Sequence, residues 1–278
     1  MGSIYNKENL ESKIATMSLE KVENLHVLAD FDKTFTKATE INGKKISSLI
    51  GQLRAGGYLT TNYSEDSNAL FKHYGPFEHD QTISRPDRLK LMEEWWIKHT
   101  ELLINSRLNK RDMDDVVSKN YIKLRPGVDI FLNLLKKYKV PIVIMSGAPA
   151  YMIQKQLELA GLLSDNIHII ANWYEYDQAG YVINYKKPVI HSLNKHETTV
   201  RQFPFFDQLR ERRNVILLGD QIDDLGMIEG FDYKNLLTIG FANEKTDEEK
   251  FADKFDILIT ENNDFGFINN ILVNICLG

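Results

Sequence analysis

Asp30 and Asp32 stand two residues apart where the apolar run Val27-Leu28-Ala29 stops. The run has the character of a buried strand, and a strand of that kind does not end in paired carboxylates without a reason. At the C-terminal end of a parallel strand, where open α/β sheets place their ligand crevice, such carboxylates do chemistry. That chemistry needs partners, and three more groups follow in order at the ends of predicted strands. Ser146-Gly147 follows Val-Ile-Met, Lys195 comes next, and Gly219-Asp220-Gln221-Ile222-Asp223-Asp224 follows Val-Ile-Leu-Leu. Each has a bland explanation when taken alone. Asp-x-Asp can be a turn or an N-cap, Ser-Gly a loop, and a lone lysine is a solvated charge about nine times in ten. The last group could simply cap a helix and complement its dipole. Together, on successive strands of one sheet, the bland explanation needs four coincidences.

The elements that must position these groups alternate between strand and helix. Strands are expected at about residues 25–30, 140–145, 167–171, 214–218, 236–241 and 256–260. Their hydrophobicity is continuous, which indicates burial on both faces. One helix opens at Arg125-Pro126-Gly127 and another runs from about Pro149 to a stop at Gly161. This succession implies an α/β fold with a doubly wound, mostly parallel, Rossmann-like sheet and right-handed crossovers. Residues 38–120 break the rhythm, being helix-rich and polar with no convincing core strand. A stretch of that length is too long for a loop. The expected organisation is a core from residues 1–37 and 121–278, with residues 38–120 as an inserted helical cap over the crevice. Residues 173–185 read as a hairpin, divided by Asp177-Gln178-Ala179-Gly180.

Composition narrows the function classes. Of 278 residues, 43% are hydrophobic and 26% charged, as expected for a globular enzyme rather than a disordered chain. With 39 acids against 34 bases the net charge is −5, so counterion release gives no drive toward a polynucleotide. A small phosphorylated ligand stays compatible, because a local cluster of donors can outweigh the global sign. The single cysteine, Cys276, allows no internal disulfide and no thiolate cluster, which suits a reducing cytoplasm. The first residues lack a signal-peptide pattern, and no apolar stretch is long enough to span a bilayer. A soluble, cytoplasmic protein without a membrane partner is expected.

The order of these motifs resembles the haloacid-dehalogenase-like phosphatase superfamily and, within it, the cytosolic pyrimidine 5′-nucleotidases of the type-three group. The resemblance runs from about Val22 to Val273. It rests on Ala-Asp-Phe-Asp-x-Thr at 29–34, Met-x-Glu-Trp at 92–95 and Lys-x-x-Pro-Gly at 123–127. It continues through the aromatic hairpin, Ile190-His191 with Asn194-Lys195-His196, and Ile-Leu-Leu-Gly-Asp-x-x-x-Asp-Leu at 216–225. It implies a Mg²⁺-dependent hydrolase of nucleoside 5′-monophosphates, pyrimidine preferred, working through an aspartyl-phosphate. Asp30 would be the nucleophile and Asp32 the general acid, then base. Ser146, Gly147 and Lys195 would hold phosphoryl oxygens. Asp30, the Asp32 carbonyl, Asp220 and Asp224 would hold the metal. The physics agrees: phosphomonoester hydrolysis needs accelerations approaching ~10²¹, and positioning supplies only about 7–11 kcal/mol. Charge neutralisation and a covalent detour must provide the rest. Acidic side chains would repel phosphate unless a divalent cation joined them, and oxygen-only ligands point to Mg²⁺.

Two departures stand out. The family pattern has Ser-Ala-Gly where this chain has Ser146-Gly147-Ala148, and Gly-Asp-Ser-x-Gly-Asp where it has Gln221 and Asp223 in the third and fifth places. The resemblance also implies a base-reading glutamate at Glu94, although Lys98 four residues on gives it an ordinary ion-pair partner. On the same helix, Leu89, Met92, Trp96 and Leu103 form a stripe expected to be core. His191 and His196 are expected to orient the loop carrying Lys195 rather than to bind metal. Alternatives on the same machinery are a phosphoserine- or sugar-phosphate-type phosphatase and a nucleoside phosphotransferase. A silent binding protein of this fold would have no need of the reactive set.

Overall fold

Strand β2 (Leu25–Ala29) lies at the middle of the sheet and is buried along its whole length. It pairs in parallel with β3 (Ile142–Pro149) on one side and β7 (Asn214–Gly219) on the other. The computed structural model describes residues 2–4, 7–40, 42–78, 80, 82–119, 122–196, 200–201, 203–260 and 264–277. The expected boundary at 120/121 falls outside them. Beyond β3 lies β4 (Ile167–Asn172), and beyond β7 lie β8 (Asn235–Phe241) and β9 (Ile257–Ile259). These six strands are parallel. A seventh, β1 (Gly2–Ile4), pairs antiparallel with β9 at the edge. The six parallel strands match those expected. The three-residue β1 was not foreseen, because so short a segment shows no pattern.

Side chains of the central strands alternate between two cores. Val27, Ala29, Ile142, Ile144, Ile216 and Leu218 face a large core built with α6 (Val128–Lys137), α7 (Ala150–Leu159) and α10 (Gly266–Leu277). Leu28, Val143, Met145, Val215 and Leu217 face the opposite side, toward Leu209 of α8 (Phe206–Arg210) and Met227. Burial on both faces explains why the strands read as unbroken apolar runs. Helices α1 (Lys7–Leu19) and α9 (Lys245–Phe251) complete the outer layers. Among the described residues, no helix is long and apolar enough to cross a membrane.

Between β2 and β3 the chain forms α2 (Leu49–Ala55), α3 (Tyr63–Glu78), α4 (Arg85–Asn105) and α5 (Lys110–Ser118). Leu49, Leu53, Tyr63, Leu103, Leu108, Met113 and Val116 join the large core. Helix α5 is also tied down by Tyr151 Oη donating to Asp114 at 2.7 Å. The Leu108 carbonyl accepts from the Val182 N–H of β6 (Val182–Tyr185) at 2.8 Å, and β6 forms the expected hairpin with β5 (Tyr174–Tyr176). The far ends of α3 and α4 pack separately, around Tyr74, Met92, Trp95 and Leu193. One end of the helical segment is therefore continuous with the core, and the other leans over the sheet.

Candidate active site

Register brings the reactive groups together. Ala29 pairs with Ile144 and with Leu218, so Asp30 leaves the sheet level with the residues that precede Ser146 and Asp220. The Asp30 N–H donates to the Leu218 carbonyl at 3.0 Å. The direction of strand addition reverses at β2, with β3 and β4 added on one side and β7, β8 and β9 on the other. That is where open α/β sheets form a crevice.

The turn after β2 is held from outside. Lys33 adopts φ +62°, a left-handed conformation unfavourable for a residue with a Cβ. Its N–H donates to Thr36 Oγ1 at 2.7 Å, and its carbonyl accepts from Arg125 Nη2 and from Asn243 Nδ2. Arg125 is buried, and it donates through Nε to the Thr34 carbonyl at 2.8 Å and through Nη2 to Asn243 Oδ1 at 2.7 Å. Asn243 also reaches Asp220 Oδ2 at 3.4 Å. Sequence reading missed both clamps, since their partners lie ninety or more positions away.

The second turn folds back on itself. Asp224 Oδ2 accepts from the N–H groups of Asp220 and Gln221, each at 3.1 Å. This requires Gly219, where an added Cβ would come within 2.5 Å of Asp224 Cβ. Between the turns, Ser146 Oγ accepts from the Ala148 N–H at 3.1 Å. Asn172 fastens this loop to the next segment, donating to the carbonyls of Gly147 at 2.7 Å and Ile190 at 2.9 Å. His191 is buried and its Nδ1 accepts from the Leu193 N–H at 3.2 Å. Burial holds the imidazole down at about 3, so the ring stays neutral and shapes the turn before Lys195.

Lys195 Nζ sits 2.5 Å from Asp30 Oδ1 and 3.1 Å from Asp224 Oδ1, with 7% of the side chain exposed. Burial alone would strip its proton, but Asp224 and Asp30 outweigh that and raise its pKa. Burial pushes Asp30 up to about 7 against the pull of Lys195. Asp32 is pushed up to about 6, again by burial, while its Oδ1 accepts from the Leu49 N–H. Burial and the neighbouring Asp30 and Asp224 carboxylates raise Asp220 well above its ordinary value. Ligand atoms of Asp30, Asp220 and Asp224 lie within 4.8 Å of one another. Three carboxylates against the one ammonium leave two negative charges when all are ionised, and every donor is a hard oxygen. That set fits a divalent cation of the Mg²⁺ type. The Asp32 carboxylate is not part of the triad.

A cavity of about 260 Å³ opens over this floor, lined by Asp30, Asp32, Ser146, Gly147, Lys195, Asp220 and Asp224. From the helical side it is walled by Phe71, Glu78 and Trp96. Trp96 packs so closely on Gly147 that an added Cβ there would lie 3.2 Å from the indole. Two sequence expectations are thereby corrected. Glu94 is not brought to the cavity: it is half exposed on the outer face of α4, 2.6 Å from Lys98 and accepting from Tyr74 Oη at 2.8 Å. Among the described residues of the helical segment, the acidic residue that lines the cavity is Glu78, at the end of α3. Trp96 is cavity wall rather than core, whereas Met92 and Leu103 of the same stripe are buried as expected. Trp95 and Tyr74 stack on each other, with ring centroids 6.2 Å apart, in the small core beneath Glu94.

Among the cavity-lining residues, Ser192 Oγ and Trp96 Nε1 are buried without a hydrogen-bond partner among the described residues.

The pyrimidine 5′-nucleotidase (UMPH-1) family model matches residues 33–276. A 7-methylguanosine phosphate-specific 5′-nucleotidase of Homo sapiens is 31% identical over 260 residues, covering 92% of this chain and 86% of the relative. A relative of the same description from Xenopus laevis is 28% identical over 268 residues, covering 95% and 92%. The crystal structure of cytosolic 5′-nucleotidase IIIB bound to cytidine superposes with a TM-score of 0.89 at 24% identity, covering 99% of this chain and 93% of the other. A substrate-bound phosphoserine phosphatase shares the fold at a TM-score of 0.55 and 19% identity, covering 88% and 96%.

Proposed function

The chain belongs to the pyrimidine 5′-nucleotidase family and is a phosphoric monoester hydrolase; on that footing we propose that it is a Mg²⁺-dependent, cytoplasmic 5′-nucleotidase acting through an aspartyl-phosphate. Its substrates are nucleoside monophosphates whose base is cytosine or 7-methylguanine. Residues 1–37 and 121–278 form the catalytic core, and residues 38–120 form the cap that closes over the nucleoside. The observation that carries this reading is the meeting of two sets of groups in one cavity. Asp30, Lys195 and Asp224 form its floor, and Glu78 and Trp96 its wall.

In the first step Asp30 attacks phosphorus. A bond forms from its carboxylate oxygen, the bond from phosphorus to the nucleoside oxygen breaks, and Asp32 gives that oxygen a proton. The raised pKa of Asp32 suits a group that must hold a proton near neutral pH. In the second step Asp32 takes a proton from water, the water oxygen attacks phosphorus, and the bond to Asp30 breaks to release phosphate. Lys195, Ser146 Oγ and the Gly147 N–H balance charge on the phosphoryl oxygens throughout. A divalent cation held by Asp30, Asp220, Asp224 and the Asp32 carbonyl would supply further neutralisation and favour ionised Asp30.

The base faces Glu78 and Trp96. A carboxylate accepts hydrogen bonds from the amine of cytosine, and together with an aromatic face it suits the cationic ring of 7-methylguanine. Glu78→Ala is therefore expected to raise KM for CMP and 7-methyl-GMP about tenfold, with a small aryl phosphate unaffected. Glu94→Ala should leave both classes within about twofold, because its carboxylate faces solvent and pairs with Lys98 instead of lining the cavity. Equal losses on both substrate classes in Glu78→Ala would contradict a base-reading role. A phosphate-release screen of nucleoside monophosphates, phosphoserine and sugar phosphates, with and without Mg²⁺, tests the activity itself. Faster release from phosphoserine or a sugar phosphate than from every nucleotide would overturn it.

A further inference from the structure

Arg85 is the first residue of α4 and Arg88 lies one turn in. That end of a helix favours acids, because its free N–H groups carry the positive end of the dipole. Glu229 is misplaced in the opposite sense. It caps the C-terminal end of the 3-10 turn Ile222–Ile228, where free carbonyls disfavour a carboxylate. The two misplacements answer each other, with Arg85 Nη2 donating to Glu229 Oε2 at 2.8 Å. Arg88 lies deeper, 4% exposed. Its Nη1 donates to the Glu78 carbonyl at 2.8 Å and lies 4.0 Å from the Asp223 carboxylate.

A guanidinium buried this far is tolerated only where acceptors meet it. Here the acceptor is the backbone carbonyl of Glu78, a residue that lines the cavity. The counter-charge, at ion-pair distance, is the Asp223 carboxylate on the turn that carries Asp220 and Asp224.

We propose that Arg88 and Asp223, flanked by Arg85 and Glu229, are positioning residues that latch the base-facing wall of the helical lobe to the turn bearing the metal carboxylates. The latch sets the height of Glu78 and Trp96 above the phosphate site, and so favours substrates that fill both halves of the cavity. A phosphate ester too small to touch the wall gains nothing from it. The inference rests on the nucleotidase reading above, and its test keeps the two separable.

Asp223→Asn preserves shape and removes the charge. The kcat/KM for CMP is expected to fall about tenfold, through KM rather than kcat. Turnover of a small aryl phosphate and the thermal midpoint should stay at wild-type values. Asp223→Glu should recover most of the loss. Arg88→Ala should reproduce the Asp223→Asn loss, because it removes the Nη1 that meets the Glu78 carbonyl and faces the acid. If wild-type protein prefers CMP over the aryl ester and Asp223→Asn keeps that preference unchanged, the latch is refuted and the nucleotidase reading survives. Equal losses on both substrates would also refute the latch, showing a general structural role. A wild-type protein that prefers neither CMP nor 7-methyl-GMP over the aryl ester would sink both.

Discussion

Asp30→Asn should lower turnover of every substrate by roughly 10⁴–10⁶-fold, or about 5–8 kcal/mol at 1.36 per decade, without unfolding the protein. The amide is the same shape but cannot form the ester bond to phosphorus. Stability should not suffer, because three carboxylates, two of them buried, crowd within 4.8 Å and removing one charge relieves repulsion. Lys195 keeps Asp224 as a partner at 3.1 Å. Single-turnover kinetics combined with a thermal melt checks both halves. A variant that keeps a tenth of wild-type activity would remove Asp30 as the nucleophile. A variant that loses activity only by unfolding would leave the question to Asp30→Ser, which fills less space and carries no charge.

Chelation of divalent cations is expected to have the next largest effect, stopping turnover until Mg²⁺ is returned. It also has a signature independent of activity. Asp30 and Asp32 have folded pKa values of about 7 and 6, raised by burial from an ordinary value of 3.8. Between those limits the folded, metal-free state binds more protons than the unfolded state, so its stability declines as pH rises from about 4 to 7. Mg²⁺ held by the ionised carboxylates of the folded protein would counter that decline. The rise in thermal midpoint on adding Mg²⁺ should therefore be larger at pH 8 than at pH 5. An equal rise at both, or none, would mean that the acidic triad is not the metal seat.

The sheet was legible because strands buried on both faces write unbroken apolar runs, and the same runs showed where each ends. Asp30, Ser146 and Asp220 could be brought together on paper for that reason, and parallel register does the same in space. Lys195 was expected at a strand end like the others, but the preceding strand, β6, ends at Tyr185 and the lysine follows a turn; its place in the motif order still pointed to it. The wall of the cavity was less legible. Helical periodicity separates an apolar face from a polar one, but it does not say which polar residue leans over a crevice formed by a distant part of the chain. Glu94 carries an i,i+4 lysine, the mark of a solvated ion pair, and that local reading matches its geometry. Glu78 sits at the end of α3, just beyond Pro76, with no pattern to single it out. Arg125, Asn172 and Asn243 were invisible for a related reason: each acts through a backbone carbonyl, and any residue can supply one. Asp223 showed only as a departure, since its partner Arg88 lies far away in sequence.

Crystals grown with Mg²⁺ and beryllium fluoride give the most direct check on covalent catalysis at Asp30. The expected result is a beryllium centre bonded to an Asp30 carboxylate oxygen, with Lys195 and Ser146 on its fluorides and the cation among Asp30, Asp220 and Asp224. Beryllium bonded to another residue, or held with no bond to protein while the same preparation hydrolyses nucleotides, would contradict it.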